Sequence, residues 1–123
     1  MTTSTERRRR ARRRGRWAEA FARLALRLAG YRILALDRRS HVGEIDIIAR
    51  RGRRLAFVEV KARASLEVAA EAILQRQRRR IARAAAGFLA ARPDLAGLEV
   101  RFDVVLVAPW RWPRHIVDAW RAD

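Results

Sequence analysis

Apolar residues along the chain recur first at helical spacing, then at strand spacing, then at helical spacing again. Trp17, Phe21, Leu24 and Leu28 follow one another at four, three and four residues, one apolar stripe on a helix over residues 15–29. Gly30 supplies its stop. Residues 31–36 form a short β-type run that ends in the polar segment Asp37-Arg38-Arg39-Ser40. Residues 44–49 and 55–60 are two further strand-like runs rich in Ile and Val. Arg51-Gly52-Arg53-Arg54 between them is a tight-turn sequence, so these two runs are expected to form a β-hairpin. A long helix is expected over 68–91, with Ile73, Ile81, Phe88 and Leu89 on its apolar side and Pro93 ending it. A strand follows over 99–107, whose continuous run Val104-Val105-Leu106-Val107 suits a fully buried position. Pro109 and Pro113 bracket a Trp-rich turn before a last edge strand over 114–119. The pattern predicts an α/β fold in the order α-β-β-β-α-β-(β), as a single domain over residues 15–123.

Composition adds bounds. A chain of 123 residues, half of them apolar, supports one hydrophobic core and not two. No apolar run is long enough to cross a membrane, and no apolar stretch follows the N-terminal positive charges, so a secretory signal is not expected. The absence of cysteine excludes disulfides and thiolate metal sites and fits a reducing, cytoplasmic setting. His41 and His115 lie far apart in sequence, which argues against a histidine zinc site.

The net charge of +16 favours a polyanionic partner, most simply nucleic acid, although a ribosome or an anionic membrane surface would account for charge alone. Residues 1–14 carry an arginine block that buries no apolar area, and a disordered basic arm is expected there. Arg76, Arg79, Arg80 and Arg83 line one side of the long helix, a ridge able to follow a phosphate backbone or simply a solvated face.

The hairpin carries the candidate chemistry. If Gly52-Arg53 is its two-residue loop, Arg51 pairs with Arg54 and Asp46 stands directly opposite Glu59, with Cβ atoms about 4.5–5.5 Å apart. If the loop is Arg51-Gly52, Asp46 becomes a diagonal neighbour of Glu59 on the same face. A three-residue loop would break that parity unless a bulge absorbed the extra residue. Lys61, two residues beyond Glu59, shares its face. Two adjacent carboxylates repel each other unless a cation lies between them. Magnesium, or manganese in its place, suits such a pair, because a hard ion is bound by one or two carboxylates plus phosphate oxygens. An adjacent ammonium stabilises developing charge or orients the attacking water.

Lys61 is the one lysine among 29 basic residues, which sets that position apart in a chain that otherwise uses arginine. An ordinary cross-strand ion cluster, with Lys61 bridging both acids, accounts for the same three residues.

The spacing from Asp46 through twelve residues to Glu59-Val60-Lys61 resembles the PD-(D/E)xK nuclease superfamily. The blocks Gly43-Glu44-Ile45-Asp46-Ile47-Ile48, Phe57-Val58-Glu59-Val60-Lys61-Ala62-Arg63 and Arg101-Phe102-Asp103-Val104-Val105, with Gly15 and Glu19 in the opening helix, resemble more narrowly the YraN family of small bacterial proteins. The likeness spans about residues 15–120. It implies a restriction-endonuclease-like fold, a central mixed sheet flanked by helices, in an arrangement like that of archaeal Holliday-junction resolvases. It implies Asp46 and Glu59 as metal ligands, Lys61 as catalytic lysine and Glu19 as a further acid reaching in from the helix. Junction-cutting relatives work as dimers, so the same likeness makes a homodimer an expectation. Ile45 stands where the superfamily's name has proline, which leaves the ligands intact.

The expected function is metal-dependent hydrolysis of phosphodiester bonds in DNA, branched DNA included. The alternative is a nucleic-acid-binding adaptor that keeps the fold without the chemistry. Other residues stay open at this point. Glu19 lies nearly opposite the Trp17 stripe, where pairing with Arg23 is a sufficient surface role. Glu44 shares the parity of Asp46. Gln75 and Gln77 are both candidates for a polar helix residue near the site. Asp103 needs a partner if buried, and Arg101 on the same face offers one. Trp110, Trp112 and Trp120 are base-stacking candidates, or core and edge cover.

Overall fold

The computed structural model describes residues 4–63 and 75–122, with side chains over 15–63 and 77–122. Helix α1 (Ser4–Leu28) leads to strands β1 (Arg32–Ser40), β2 (Gly43–Arg51) and β3 (Arg54–Ala62). Helix α2 (Gln75–Ala90), a single 3-10 turn at Pro93–Leu95, and strands β4 (Glu99–Val107) and β5 (Arg114–Trp120) complete the chain. The five strands form one sheet in the order β1-β2-β3-β4-β5. Only β3 and β4 run parallel. A parallel pair needs a crossover, and α2 lies within it. Among the described residues the architecture is a five-stranded mixed sheet flanked by two helices, consistent with a restriction-endonuclease-like fold, in the order expected from the sequence.

Each face of the sheet has its own core. Phe57, Phe102, Val104 and Leu106 pack with Ile81, Ala84, Ala85 and Phe88 of α2. Ile47, Ala49, Ala56, Val58, Val105 and Val107 pack with Ala18, Ala22 and Leu26 of α1. The Val104–Val107 run is buried on both faces, as its unbroken apolar character requires.

Three expectations change in the structure. First, α1 begins at Ser4, so the backbone of most of the arginine block is helical rather than coil. Arginine has a high helix propensity, and extending a helix already anchored by packing avoids the cost of nucleation. Second, α1 does not turn its large-residue stripe to the sheet. Trp17, Leu24 and Leu28 stay exposed, and the buried face is Ala18, Ala22 and Leu26. Alanines let the helix backbone approach the sheet closely, which the bulky stripe would prevent. Third, β1 runs through the polar Asp37–Ser40 segment, pairing Arg38 with Ile45, Arg39 with Glu44 and Ser40 with Gly43. Charged side chains suit it because β1 is an edge strand. The expected start of the second helix at residue 68, and Ile73 with it, lies outside the described residues.

A buried ion network ties the other edge to α1. Asp103 is fully buried and accepts from Arg101 Nε and Nη2 at 2.8 and 2.7 Å, with His115 Nε2 2.7 Å away. The Asp118 N–H, at a left-handed bulge in β5, donates to it at 3.0 Å. Arg101 also bonds the Tyr31 hydroxyl at the end of α1. Burial alone would raise the Asp103 pKa, but its bonds to His115, Arg101 and Asp118 together hold it below the ordinary value. Asp103 is thus a structural residue, and Arg101 is its partner as expected.

Gly43 opens β2 where the strand touches α2. A Cβ at this position would stand 2.9 Å from the Arg80 carbonyl oxygen, so the two backbones meet only because residue 43 is glycine. Gly43→Ala is expected to cost about 1–3 kcal/mol in denaturant unfolding. Gly87→Ala, in α2 with open space around it, is expected to gain about 0.5–1 kcal/mol. Asp103→Ala strands a buried guanidinium and is expected to cost about 3–5 kcal/mol by the same measurement.

Candidate active site

The β2–β3 hairpin closes on Gly52-Arg53. Arg51 pairs with Arg54, and the register runs through Arg50–Leu55, Ala49–Ala56 and Ile48–Phe57 to Ile47–Val58. Gly52 takes the left-handed conformation that the turn requires, φ 61°. One further step sets Asp46 opposite Glu59, but the ladder has ended. The Val60 N–H donates instead to Asp46 Oδ2 at 2.8 Å, so a side chain takes the place of a strand carbonyl. Beyond that point β3 runs on to Ala62 beside β4 alone. The alternation of β2 breaks at the same residue. Ile45 joins the core under α2, whereas Ile47, two residues on, joins the core under α1.

Glu59 and Lys61 share a face of β3, and Lys61 Nζ lies 3.2 Å from Glu59 Oε1. Lys61 is buried despite its charge. The Glu59 and Asp46 carboxyls are neighbours, and the charge of Asp46 helps raise the Glu59 pKa. Glu19 reaches the same place because it flanks the buried alanine face of α1. Carboxylate oxygens of Glu19, Asp37 and Asp46 lie within 4.8 Å of one another. Four acids from α1, β1, β2 and β3 therefore converge beside one lysine.

Asp37 is the residue that reading the sequence missed. Leu36 pairs with Ile47 and Arg38 with Ile45, which sets Asp37 across from Asp46. Its backbone is left-handed, φ 47°, a conformation that aspartate tolerates better than most residues. The register counting used for the second hairpin would have found it, had the first hairpin been recognised from its His41-Val42 turn.

Two clefts meet at these carboxylates. One, of about 410 Å³, lies toward α2 and is lined by Arg39, Ser40, Gly43, Glu44, Asp46, Glu59, Gln77, Arg80 and Ile81. Gln77 lines this cleft beside the acids; the side chains of Gln75 and Arg76 are outside the described residues. Glu44 is exposed, lies 3.4 Å from Arg39 Nε, and its charge helps raise the Asp46 pKa. The arginine ridge divides. Arg80 lines this cleft, whereas Arg79 and Arg83 line another with Arg78 and Arg121. The second cleft at the acids, of about 680 Å³, lies toward α1 and is walled by Trp17, Glu19, Val60, Lys61, Ala62 and Pro109, among others. Trp120 is buried against Phe102, with ring centroids 4.2 Å apart, whereas Trp110 and Trp112 are exposed.

The electrostatics follow from burial. Desolvation, then the charge of Asp46, push Glu59 up to about 7, against the pull of Lys61. Desolvation, then Asp37 and Asp46, push Glu19 to about 7. Desolvation also raises Asp46, in spite of its bond from Val60. Without a cation Glu19 and Glu59 are partly protonated near neutral pH. Hard oxygen donors so crowded suit Mg²⁺ or Mn²⁺, which would replace the protons.

The sequence profile of the Uncharacterised protein family UPF0102 matches residues 18–107, a span that includes Glu19, Asp37, Asp46, Glu59 and Lys61. A UPF0102 protein of Paramagnetospirillum magneticum is 61% identical over 117 residues, 92% of this chain and 91% of the relative. One from Parvibaculum lavamentivorans is 58% identical over 104 residues, 85% and 78%. One from Rhizobium meliloti is 54% identical over 106 residues, 86% and 87%. These matches bear out the YraN-type resemblance at the level of the family.

Folded pKa values of about 7 for Glu19 and Glu59 lie above the ordinary 4.5. The native protein thus holds protons that the unfolded chain has already released, and stability falls as pH rises from about 4.5 to about 7. In metal-free buffer the melting temperature is expected to drop by about 5 °C or more between the two ends of that window. Millimolar Mg²⁺ or Mn²⁺ is expected to restore it above neutrality and to do little at the acid end. Glu59→Gln should flatten the profile and weaken the response to metal. A level wild-type profile in calorimetry would refute the assignment.

Proposed function

The chain belongs to the Uncharacterised protein family UPF0102, a name that assigns no chemistry, and we propose from its geometry that it is a metal-dependent nuclease of PD-(D/E)xK type, hydrolysing phosphodiester bonds in DNA. The observation that carries this reading is the convergence of Asp46, Glu59 and a buried Lys61 where β2 parts from β3, at the mouth of an arginine-bearing cleft. Asp46 and Glu59 would hold the ion, and the carboxylates of Glu19 and Asp37, within 4.8 Å of that of Asp46, could add to its ligands. A magnesium or manganese ion bound there supplies Lewis-acid stabilisation of the charge that builds on the phosphate.

The chain's own residues do the rest. Asp46 is fixed in place by the Val60 N–H, so a ligand oxygen is pre-oriented. Lys61 offers its ammonium to the attacking water or to a phosphate oxygen, and its burial makes that charge count for more than it would in bulk water. Arginine would be a poor substitute, since its wider fork would displace Glu59 from the 3.2 Å contact. Arg80 and Gln77 face the same cleft, where a sugar-phosphate backbone would lie. The arginine surface of α2 away from the acids supports a second reading, a nucleic-acid-binding adaptor without cleavage.

Purified protein is incubated with branched, nicked and single-stranded DNA in Mg²⁺, Mn²⁺ or EDTA. Cleavage is expected only with metal. Asp46→Ala, Glu59→Ala and Lys61→Ala are each expected to slow it by roughly a hundredfold or more. If the wild type cuts nothing, or the variants cut as fast, the nuclease assignment is wrong. Binding without cleavage that survives these substitutions selects the adaptor.

A further inference from the structure

The two clefts that meet at Asp46 and Glu59 differ in kind. The one toward α2 is polar, with Arg39, Arg80, Gln77 and Glu44 on its walls. The one toward α1 has an apolar floor of Val60, Ala62, Val107 and Pro109 at the open ends of β3 and β4, with the Trp17 ring on its wall and Glu19, Lys61 and Arg63 at its charged rim. Trp17 is about half exposed, at 49%. Phe21 props it from behind, with ring centroids 4.5 Å apart. A large aromatic left half in water, beside an apolar floor of about 680 Å³ and next to a cluster of acids, is an arrangement for stacking a flat ligand.

Resting on the nuclease reading above, we propose that this cleft is a nucleobase subsite, in which Trp17 stacks on an unpaired base next to the scissile phosphate. The cleft with Arg39 and Arg80 takes the backbone and the Trp17 cleft takes the base, so both halves of one nucleotide meet the acids between them. A base inside a duplex presents its edges to the grooves, and its faces are covered by its neighbours. Only a nucleotide out of the stack can lay its face on Trp17. The substrate class that follows is a strand unpaired at the cut: a flap, a bulge or a single-stranded end.

The test is equilibrium binding in calcium, under conditions shown to leave the DNA uncut. The probes are a duplex with one bulged 2-aminopurine and the same duplex fully paired. Wild type is expected to bind the bulge roughly tenfold more tightly and to quench its fluorescence, as stacking on one aromatic requires. Trp17→Ala is expected to lose most of that preference, and Trp17→Phe to keep most of it. Leu24→Ala, exposed on the same helix away from the cleft, should match wild type.

Equal binding of the two probes overturns the proposal, and so does a preference untouched by Trp17→Ala. Cleavage of both probes without discrimination leaves the nuclease reading standing and removes this one. A Trp17-dependent preference with no cleavage in magnesium does the reverse.

Discussion

The hydrogen bond from the Val60 N–H to Asp46 Oδ2 is the point on which this architecture turns. An interior strand normally satisfies its N–H groups with the carbonyls of its neighbour, and a buried donor left without one costs free energy. Here a carboxylate takes that bond, so β2 can leave β3 while the donor stays satisfied. Three consequences follow. The side-chain alternation of β2 breaks at Asp46. Glu59 and Lys61 remain on a strand end flanked by β4 alone. Clefts open toward both helices, with the same two acids at their junction. An ordinary hairpin continued by two more pairs would have closed both.

That opening carries an electrostatic cost. A chain with net charge +16 brings the carboxylates of Glu19, Asp37 and Asp46 together, with Glu59 and Lys61 beside them and Arg39 and Arg80 on the adjoining cleft wall. Burial strips water from these acids. Glu19 and Glu59 accordingly rise to about 7 and Asp46 rises as well, each chiefly through loss of water. Protons and divalent cations compete for the same oxygens in such a cluster. The Asp103 network shows the contrast. There a buried acid meets Arg101, His115 and a backbone N–H, and its pKa falls. The same fold thus contains a buried acid whose partners outweigh its loss of water and a group of acids in which loss of water wins.

Legibility in the sequence followed the range of the interactions involved. The second hairpin was readable because its turn, its register and its carboxylates all lie within sixteen residues, from Asp46 to Lys61. Strand β4 was readable because burial on both faces leaves an unbroken apolar run. The orientation of α1 was not, because periodicity shows that a stripe exists and not what it faces. The large residues drew attention, but the sheet selected Ala18 and Ala22 for close approach. Asp37 was hidden for a related reason: its segment is polar, and polarity there reflects an edge strand rather than a loop. Placing Gln77 at the cleft needed the packing of α2 against Gly43, a contact that leaves no pattern except one glycine.

The rotation of α1 links these observations. Had Trp17, Phe21, Leu24 and Leu28 faced the sheet, Glu19 on the far side of the wheel would have pointed to solvent, with Arg23 its natural partner. Burying the alanines instead brings Glu19 to within 4.8 Å of Asp37 and Asp46 and leaves Trp17 on the wall of the adjoining cleft. Both outcomes are costly in isolation: Glu19 is desolvated among like charges, and large apolar side chains stay in water. That α1 accepts both costs together, on the two sides of one cleft, is the strongest physical argument that the cleft exists to hold something.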